Sequence, residues 1–126
     1  MIRLLGSILL YLFLTFEYGL ADEMYSDKYD HVRVEDILTN DNVREEYYNC
    51  FMDTGPCVTE DAAYFKGNFV EAMATQCKKC TQKQQENFEK VIVWYTEHQP
   101  EKWQALVAKT LEDAKKLNIQ TEASTR

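Results

Sequence analysis

The sequence contains few of the residues that interrupt helices, with four glycines and two prolines among 126 residues. Beyond residue 21, only Gly55, Gly67, Pro56 and Pro100 remain. A β-sandwich of this length normally needs more turn residues than that. The sequence therefore predicts an all-α protein, and its length suits one compact domain.

Positive charge and histidine are also scarce. Fourteen Lys and Arg residues stand against 21 Asp and Glu residues, for a net charge of −7, and there are two histidines. A chain this acidic is repelled by phosphate backbones, which argues against nucleic-acid binding. Neither His31 nor His98 has a nucleophile and an acid in a recognisable arrangement. We predict a protein that is not an enzyme and has no cofactor and no metal site.

Long apolar runs are absent after the first 21 residues. Residues 1–21 combine Arg3, an apolar run from Leu4 to Phe16, and small residues at Gly19 and Ala21. This pattern predicts a cleaved signal peptide. The run is shorter than the roughly 20 residues of a membrane span. The sequence therefore predicts a secreted, extracellular protein without a membrane span, comprising residues 22–126 with a polar tail from about residue 120.

All four cysteines lie beyond this predicted leader. They are Cys50, Cys57, Cys77 and Cys80. An even number in a short secreted chain implies two disulfides, and four cysteines allow three pairings. The alternatives are a zinc site and a redox-active C-x-x-C at the last two cysteines. Oxidising conditions disfavour the zinc site, and no strand pattern supports a thioredoxin-like setting.

Apolar residues recur at helical spacing almost everywhere. An N-terminal arm reaches His31, and a short helix follows over residues 34–39. Four longer helices follow, the fourth helix overall ending at about His98. Each begins at a residue that can cap it or, for proline, that suits its first turn. These residues are Asn40 or Asp41, Thr59, Thr81 and Pro100.

The predicted inward faces carry many large aromatics and no acidic or basic residue in register. The residues alone favour a packed core, with an internal cavity as the alternative. On the last helix the stripe consists of Trp103, Leu106, Val107, Leu111 and Ala114.

The cysteines follow the spacing C-x6-C-x19-C-x2-C, and several motifs surround them. The motifs are Lys28-Tyr29-Asp30, Glu35-Asp36-Ile37-Leu38, Tyr47-Tyr48-Asn49-Cys50, Asp53-Thr54-Gly55-Pro56-Cys57, Cys77-Lys78-Lys79-Cys80 and Pro100-Glu101-Lys102-Trp103. From about Tyr25 to Leu106, the chain resembles the insect chemosensory proteins, also called the OS-D-like family.

The resemblance implies about six helices around an apolar channel and two local disulfides, Cys50–Cys57 and Cys77–Cys80. It also implies binding of long-chain lipids, pheromones or other semiochemicals. The family's buried aromatic positions correspond to Tyr29, Tyr47 and Trp103. Together with the inward helix faces, they give a predicted ligand-contacting set. Its members are Tyr29, Leu38, Val43, Tyr47, Phe51, Phe65, Phe69, Met73, Phe88, Ile92, Tyr95, Trp103, Leu106 and Val107.

These inferences lead to a carrier hypothesis: a monomer that shields a small hydrophobic ligand in its channel. The ligand's polar head group is expected near the tyrosines of the N-terminal arm. Trp103 is expected to report the ligand by fluorescence, while Trp94 lies on the flank of its helix. The alternative is a secreted interaction protein with a receptor or other protein partner, acting in development, immunity or saliva.

Overall fold

The computed structural model describes residues 23–119. The predicted signal peptide and the polar tail lie outside these residues. Within residues 23–119 the chain forms five helices and no strand. The helices are α1 (Val34–Leu38), α2 (Asp41–Phe51), α3 (Glu60–Thr75), α4 (Gln82–His98) and α5 (Pro100–Lys116). The predicted all-α fold is confirmed.

The four longer helices begin at the positions predicted from their capping residues and from Pro100. Asn40 and Thr59 each accept a hydrogen bond from a first-turn amide of α2 and α3, both at 3.2 Å. Thr81 forms a full capping box, in which its hydroxyl accepts from Gln84 N at 3.1 Å and its amide donates to Gln84 Oε1 at 2.9 Å. Pro100 opens α5 in the first turn, where its missing N–H costs nothing.

The turn after α2 is held by ion pairs to two other helices. Asp53 adopts a left-handed backbone conformation with φ 61°. Its carboxylate pairs with Lys109 of α5 at 2.7 Å and with Lys66 of α3. These two lysines lower the pKa of Asp53 from its usual 3.8 to about 2. The turn therefore links α2 electrostatically to α3 and α5.

Asp53→Asn is expected to lower the free energy of unfolding at neutral pH by less than about 1 kcal/mol, because this ion pair is solvent-screened. Asparagine tolerates the left-handed conformation, so the change isolates the charge. Because the folded pKa is depressed, the stabilisation is complete above about pH 4 and is lost as the pH falls toward 2.

Thermal unfolding of wild type and variant at neutral pH and at pH 2 measures this effect. Asp36→Asn is the matched control, since within residues 23–119 its carboxylate pairs with Arg33 alone, at 3.5 Å, and both side chains are 73% exposed. A deficit for Asp53→Asn that is equally large at pH 2 would contradict the ion-pair explanation.

Both disulfides are local, as the resemblance implied. Cys50 pairs with Cys57 and Cys77 pairs with Cys80, at sequence separations of 7 and 3. Loops this small remove little chain entropy, about 2 kcal/mol each by the loop-length model. They join a helix end to its following turn, and leave the separate helices uncrosslinked.

The core lies where α4 and α5 meet α1. Leu38, Tyr95, Trp103 and Leu106 form its centre, each at most 9% exposed. A second cluster joins Ala72 of α3 to the Cys77–Cys80 disulfide, with Tyr25 and Phe88 packed against it.

One predicted core position is wrong. Leu111 of α5 is 38% exposed, whereas its neighbour Thr110 is 3% exposed. The buried face of α5 therefore follows Trp103, Leu106, Thr110 and Ala114, a spacing of three or four residues. Hydrophobicity favoured Leu111, but the helix presents Thr110 to the bundle.

Candidate functional site: an apolar cavity with one buried cation

A cavity of about 160 Å³ lies among the helices. Its wall is mostly aromatic and aliphatic and receives side chains from all five helices. The volume is close to that of engineered apolar cavities that hold a benzene molecule. The cavity therefore suits an apolar ligand better than a small ion or a sugar.

Eight residues of the predicted ligand-contacting set line the cavity. They point inward because they fall on the buried stripes of their helices. These residues are Leu38, Tyr47, Phe51, Phe65, Phe69, Phe88, Tyr95 and Leu106. Their contact with a ligand stays a prediction.

Six residues of that set do not line the cavity. Three of them, Met73, Ile92 and Val107, pack against the core cluster instead, and Trp103 belongs to that cluster. The other two are Tyr29, in the N-terminal arm, and Val43, which is partly buried on α2.

Three phenylalanines form one continuous wall. Phe51 of α2 meets Phe69 of α3 edge to face, with ring centroids 4.9 Å apart. Phe69 in turn contacts Phe88 of α4 at 5.8 Å. Aromatic faces give wide contact area to an alkyl chain. The wall thus joins three helices that no disulfide connects to one another.

The N-terminal arm covers one end of the cavity. The Tyr25 hydroxyl donates to Glu71 at 2.7 Å, and the Tyr64 hydroxyl donates to the Ser26 carbonyl at 2.7 Å. Gln84 at the start of α4 donates to the same carbonyl at 3.0 Å. Burial, together with the bond to Glu71, raises the pKa of Tyr25. Tyr25 therefore stays protonated and acts as a neutral hydrogen-bonding group.

A second tyrosine–carboxylate pair lies between α2 and α3. The Tyr47 hydroxyl donates to Asp61 in the first turn of α3. Burial and this hydrogen bond raise the pKa of Tyr47 to about 12. The bond directs the hydroxyl to the helix N-terminus and leaves the Tyr47 ring in the cavity wall.

The expectation that no charged side chain lies in the inward register is wrong at one position. Arg44 of α2 lines the cavity and is 6% exposed. It precedes Tyr47 by three residues and Phe51 by seven, so it falls on the same helix face. The helical spacing alone therefore predicts an inward position for Arg44, although an apolar pattern does not include an arginine.

The two tryptophans lie one layer behind the cavity wall. Neither Trp94 nor Trp103 lines the cavity. Trp103 stacks on Tyr95 with centroids 6.0 Å apart, and Trp94 meets the same ring edge to face at 5.0 Å. The expected change in Trp103 fluorescence on ligand binding stays a prediction. Because Trp103 does not line the cavity, a ligand would affect its indole through the intervening Tyr95 ring.

The histidines take no part in the cavity. His31 and His98 are both exposed, and His98 stacks on Trp94 at 4.5 Å. Among residues 23–119, no group of three or more His, Cys, Asp or Glu side chains could hold a metal ion. No helix in this described part is long and apolar enough to cross a bilayer.

Comparison with known proteins agrees with this geometry. The profile of the insect pheromone-binding family A10/OS-D matches residues 25–118. The chain is 38% identical over 89 residues to ejaculatory bulb-specific protein 3 of Drosophila melanogaster, covering 71% of this chain and 70% of that protein. It is 36% identical over 87 residues to allergen Tha p 1 of Thaumetopoea pityocampa, covering 69% and 68%.

Two solved structures share the fold. One is a chemosensory protein in complex with bromo-dodecanol, 32% identical, with a TM-score of 0.66 over 71% of this chain and 89% of that one. The other is the antennal chemosensory protein A6 of the moth Mamestra brassicae, 30% identical, with a TM-score of 0.58 over 77% and 98%. At 32% and 30% identity, the similarity to these two proteins extends to their sequences and is not limited to the fold.

Proposed function

This chain belongs to the insect pheromone-binding family A10/OS-D, and on that premise we propose that it carries small hydrophobic molecules in its cavity. The observation that carries the proposal is the cavity itself, walled by Phe51, Phe69 and Phe88. The related protein that holds bromo-dodecanol supports an occupant with a long alkyl chain. Binding and release need no catalytic group.

The expected binding free energy suits a carrier that takes up and releases its ligand. Each buried methylene contributes about 0.8 kcal/mol, so a 12-carbon chain gains about 10 kcal/mol before costs. Association and ordering cost several kcal/mol of this gain. The balance gives affinity near the micromolar range. A cavity of about 160 Å³ must widen for such a chain, and the short disulfides leave the helices free to move apart.

The proposal includes secretion of the carrier as a monomer. The apolar leader pattern after Arg3 and the two disulfides support export into an oxidising compartment. Outside the cell, a carrier of this kind would take an apolar molecule from an oily surface and release it elsewhere.

Competition against a fluorescent apolar probe tests the carrier proposal. Alcohols, acids and esters of 12 to 18 carbons are expected to displace the probe at micromolar concentrations, whereas compact polar compounds of similar mass do not. If every long-chain compound fails while circular dichroism shows intact helices, the carrier function is rejected in favour of action on a protein partner.

A further inference from the structure

Arg44 is a cation buried in the wall of a mainly apolar cavity. Its side chain is 8% exposed. Nη1 donates to the Leu38 carbonyl at 2.7 Å, and Nη2 lies 3.0 Å from the Asp41 carboxylate. The buried Nε–H has no hydrogen-bond partner among the described residues. A buried donor left unpaired is unfavourable, so a ligand that accepts from it gains free energy.

The charge of Arg44 is only partly balanced within the protein. Asp41, its carboxylate partner, is 88% exposed, so solvent screens that side of the pair. The Trp94 ring covers the guanidinium at 4.4 Å, an interaction that holds the cation in place without neutralising it. An anion reaching the cavity side of Arg44 would therefore meet a positive charge in apolar surroundings.

Arg44 lies far from the end of the cavity that the N-terminal arm covers. Arg44 lies against Trp94 of α4. Burial raises the pKa of the adjacent Tyr95 to about 12, and the positive charge of Arg44 partly opposes this rise. The arm contacts Gln84, ten residues earlier on α4, or about 15 Å along the helix axis. Phe88 and Val91 line the cavity between these positions. Asn87 also lines this stretch, so the wall between the arm and the buried cation is mainly, but not entirely, apolar.

We propose that Arg44 is the head-group site of the cavity and selects long-chain carboxylates over neutral chains of equal length. This inference rests on the carrier function proposed above and names its ligand class. The carboxylate would accept from the free Nε–H, while the alkyl chain lies along the phenylalanine wall. Nη1 keeps its bond to Leu38, so α1 stays attached. Charge-assisted bonds of this kind are about twice as strong as neutral ones.

Displacement of the same fluorescent probe by dodecanoate, methyl dodecanoate and dodecanol tests the selection. Wild-type protein is expected to bind dodecanoate at least about tenfold more tightly than its methyl ester. Arg44→Met removes the charge with little change in length, and is expected to equalise the three affinities. Arg33→Met is the matched control, because Arg33 is 73% exposed and does not line the cavity; it should keep the wild-type preference.

Each outcome decides a different question. If acid and ester bind wild type equally well, the carrier function stands and Arg44 has only a structural role. If none of the three compounds displaces the probe, the carrier function and this inference both fail. If Arg44→Met does not fold, Arg44→Gln repeats the comparison, because the glutamine amide can still donate a hydrogen bond but carries no charge; an acid preference retained in that variant places the head group elsewhere. A preference retained in a folded Arg44→Met protein places the head group elsewhere, with the arm tyrosines as the next candidates.

Discussion

Trp103→Ala is expected to lower the free energy of unfolding by about 3–5 kcal/mol, because it removes the largest side chain at the centre of the core. Trp103 is 9% exposed and packs with Leu38, Tyr95 and Leu106. Its indole lies behind Tyr95 at 6.0 Å between centroids. Deletion leaves a void that the surrounding helices cannot close completely. Urea unfolding followed by circular dichroism measures the loss.

Trp94→Ala is the matched control for this measurement. Trp94 is the other tryptophan, half-buried on α4, where its ring contacts the buried Arg44 guanidinium and the exposed His98 ring. Its removal is expected to cost about 1–2 kcal/mol, mainly through the lost cation–π contact. Equal losses for the two variants would mean that Trp103 does not hold the core together. Trp103→Phe keeps much of the apolar volume and should recover part of the stability.

Val91→Trp is expected to weaken binding of dodecanol by about 100-fold. Val91 lines the cavity from α4, and the larger indole would occupy the volume that three or four methylenes of the ligand need. At about 0.8 kcal/mol per methylene, that displacement accounts for the factor. Overpacking is expected to cost about 1–3 kcal/mol of stability, so thermal unfolding must accompany the titration.

Val93→Trp supplies the control for this variant. Val93 lies two residues along the same helix and is 53% exposed, so the same substitution adds its indole to the surface. Dodecanol affinity should then equal that of wild type. A folded Val91→Trp protein with unchanged affinity would place the ligand outside this cavity. If Val91→Trp fails to fold, Val91→Phe repeats the test with a smaller ring.

Much of the fold was predictable because its determinants are local. Capping residues such as Thr59 and Thr81 mark helix starts by the hydrogen bonds that their own side chains form. The scarcity of glycine and proline predicted long helices for the same local reason. Helix ends were less visible, because the left-handed positions at Asp53, Gln76 and Cys77 use no glycine. The local disulfides followed only from the family resemblance, since the residues alone left three pairings open.

The inward faces were also predictable, but what each face meets was not. Helical periodicity gives the direction of a side chain relative to its own axis. It does not say whether a neighbouring helix or a gap lies opposite, which depends on where the axes cross. Phe69 and Met73 illustrate this: one turn apart on α3, both pack against the core, but only Phe69 also lines the cavity.

The sequence by itself determined an acidic, all-helical domain with capped helices, paired cysteines and aromatic inward faces. Only the tertiary structure decided that Trp103 fills the core while Phe51, Phe69 and Phe88 border a cavity. It also decided that Arg44 is buried there. Large side chains from separate helices leave unfilled volume only where those helices diverge, and that divergence arises from all their contacts together.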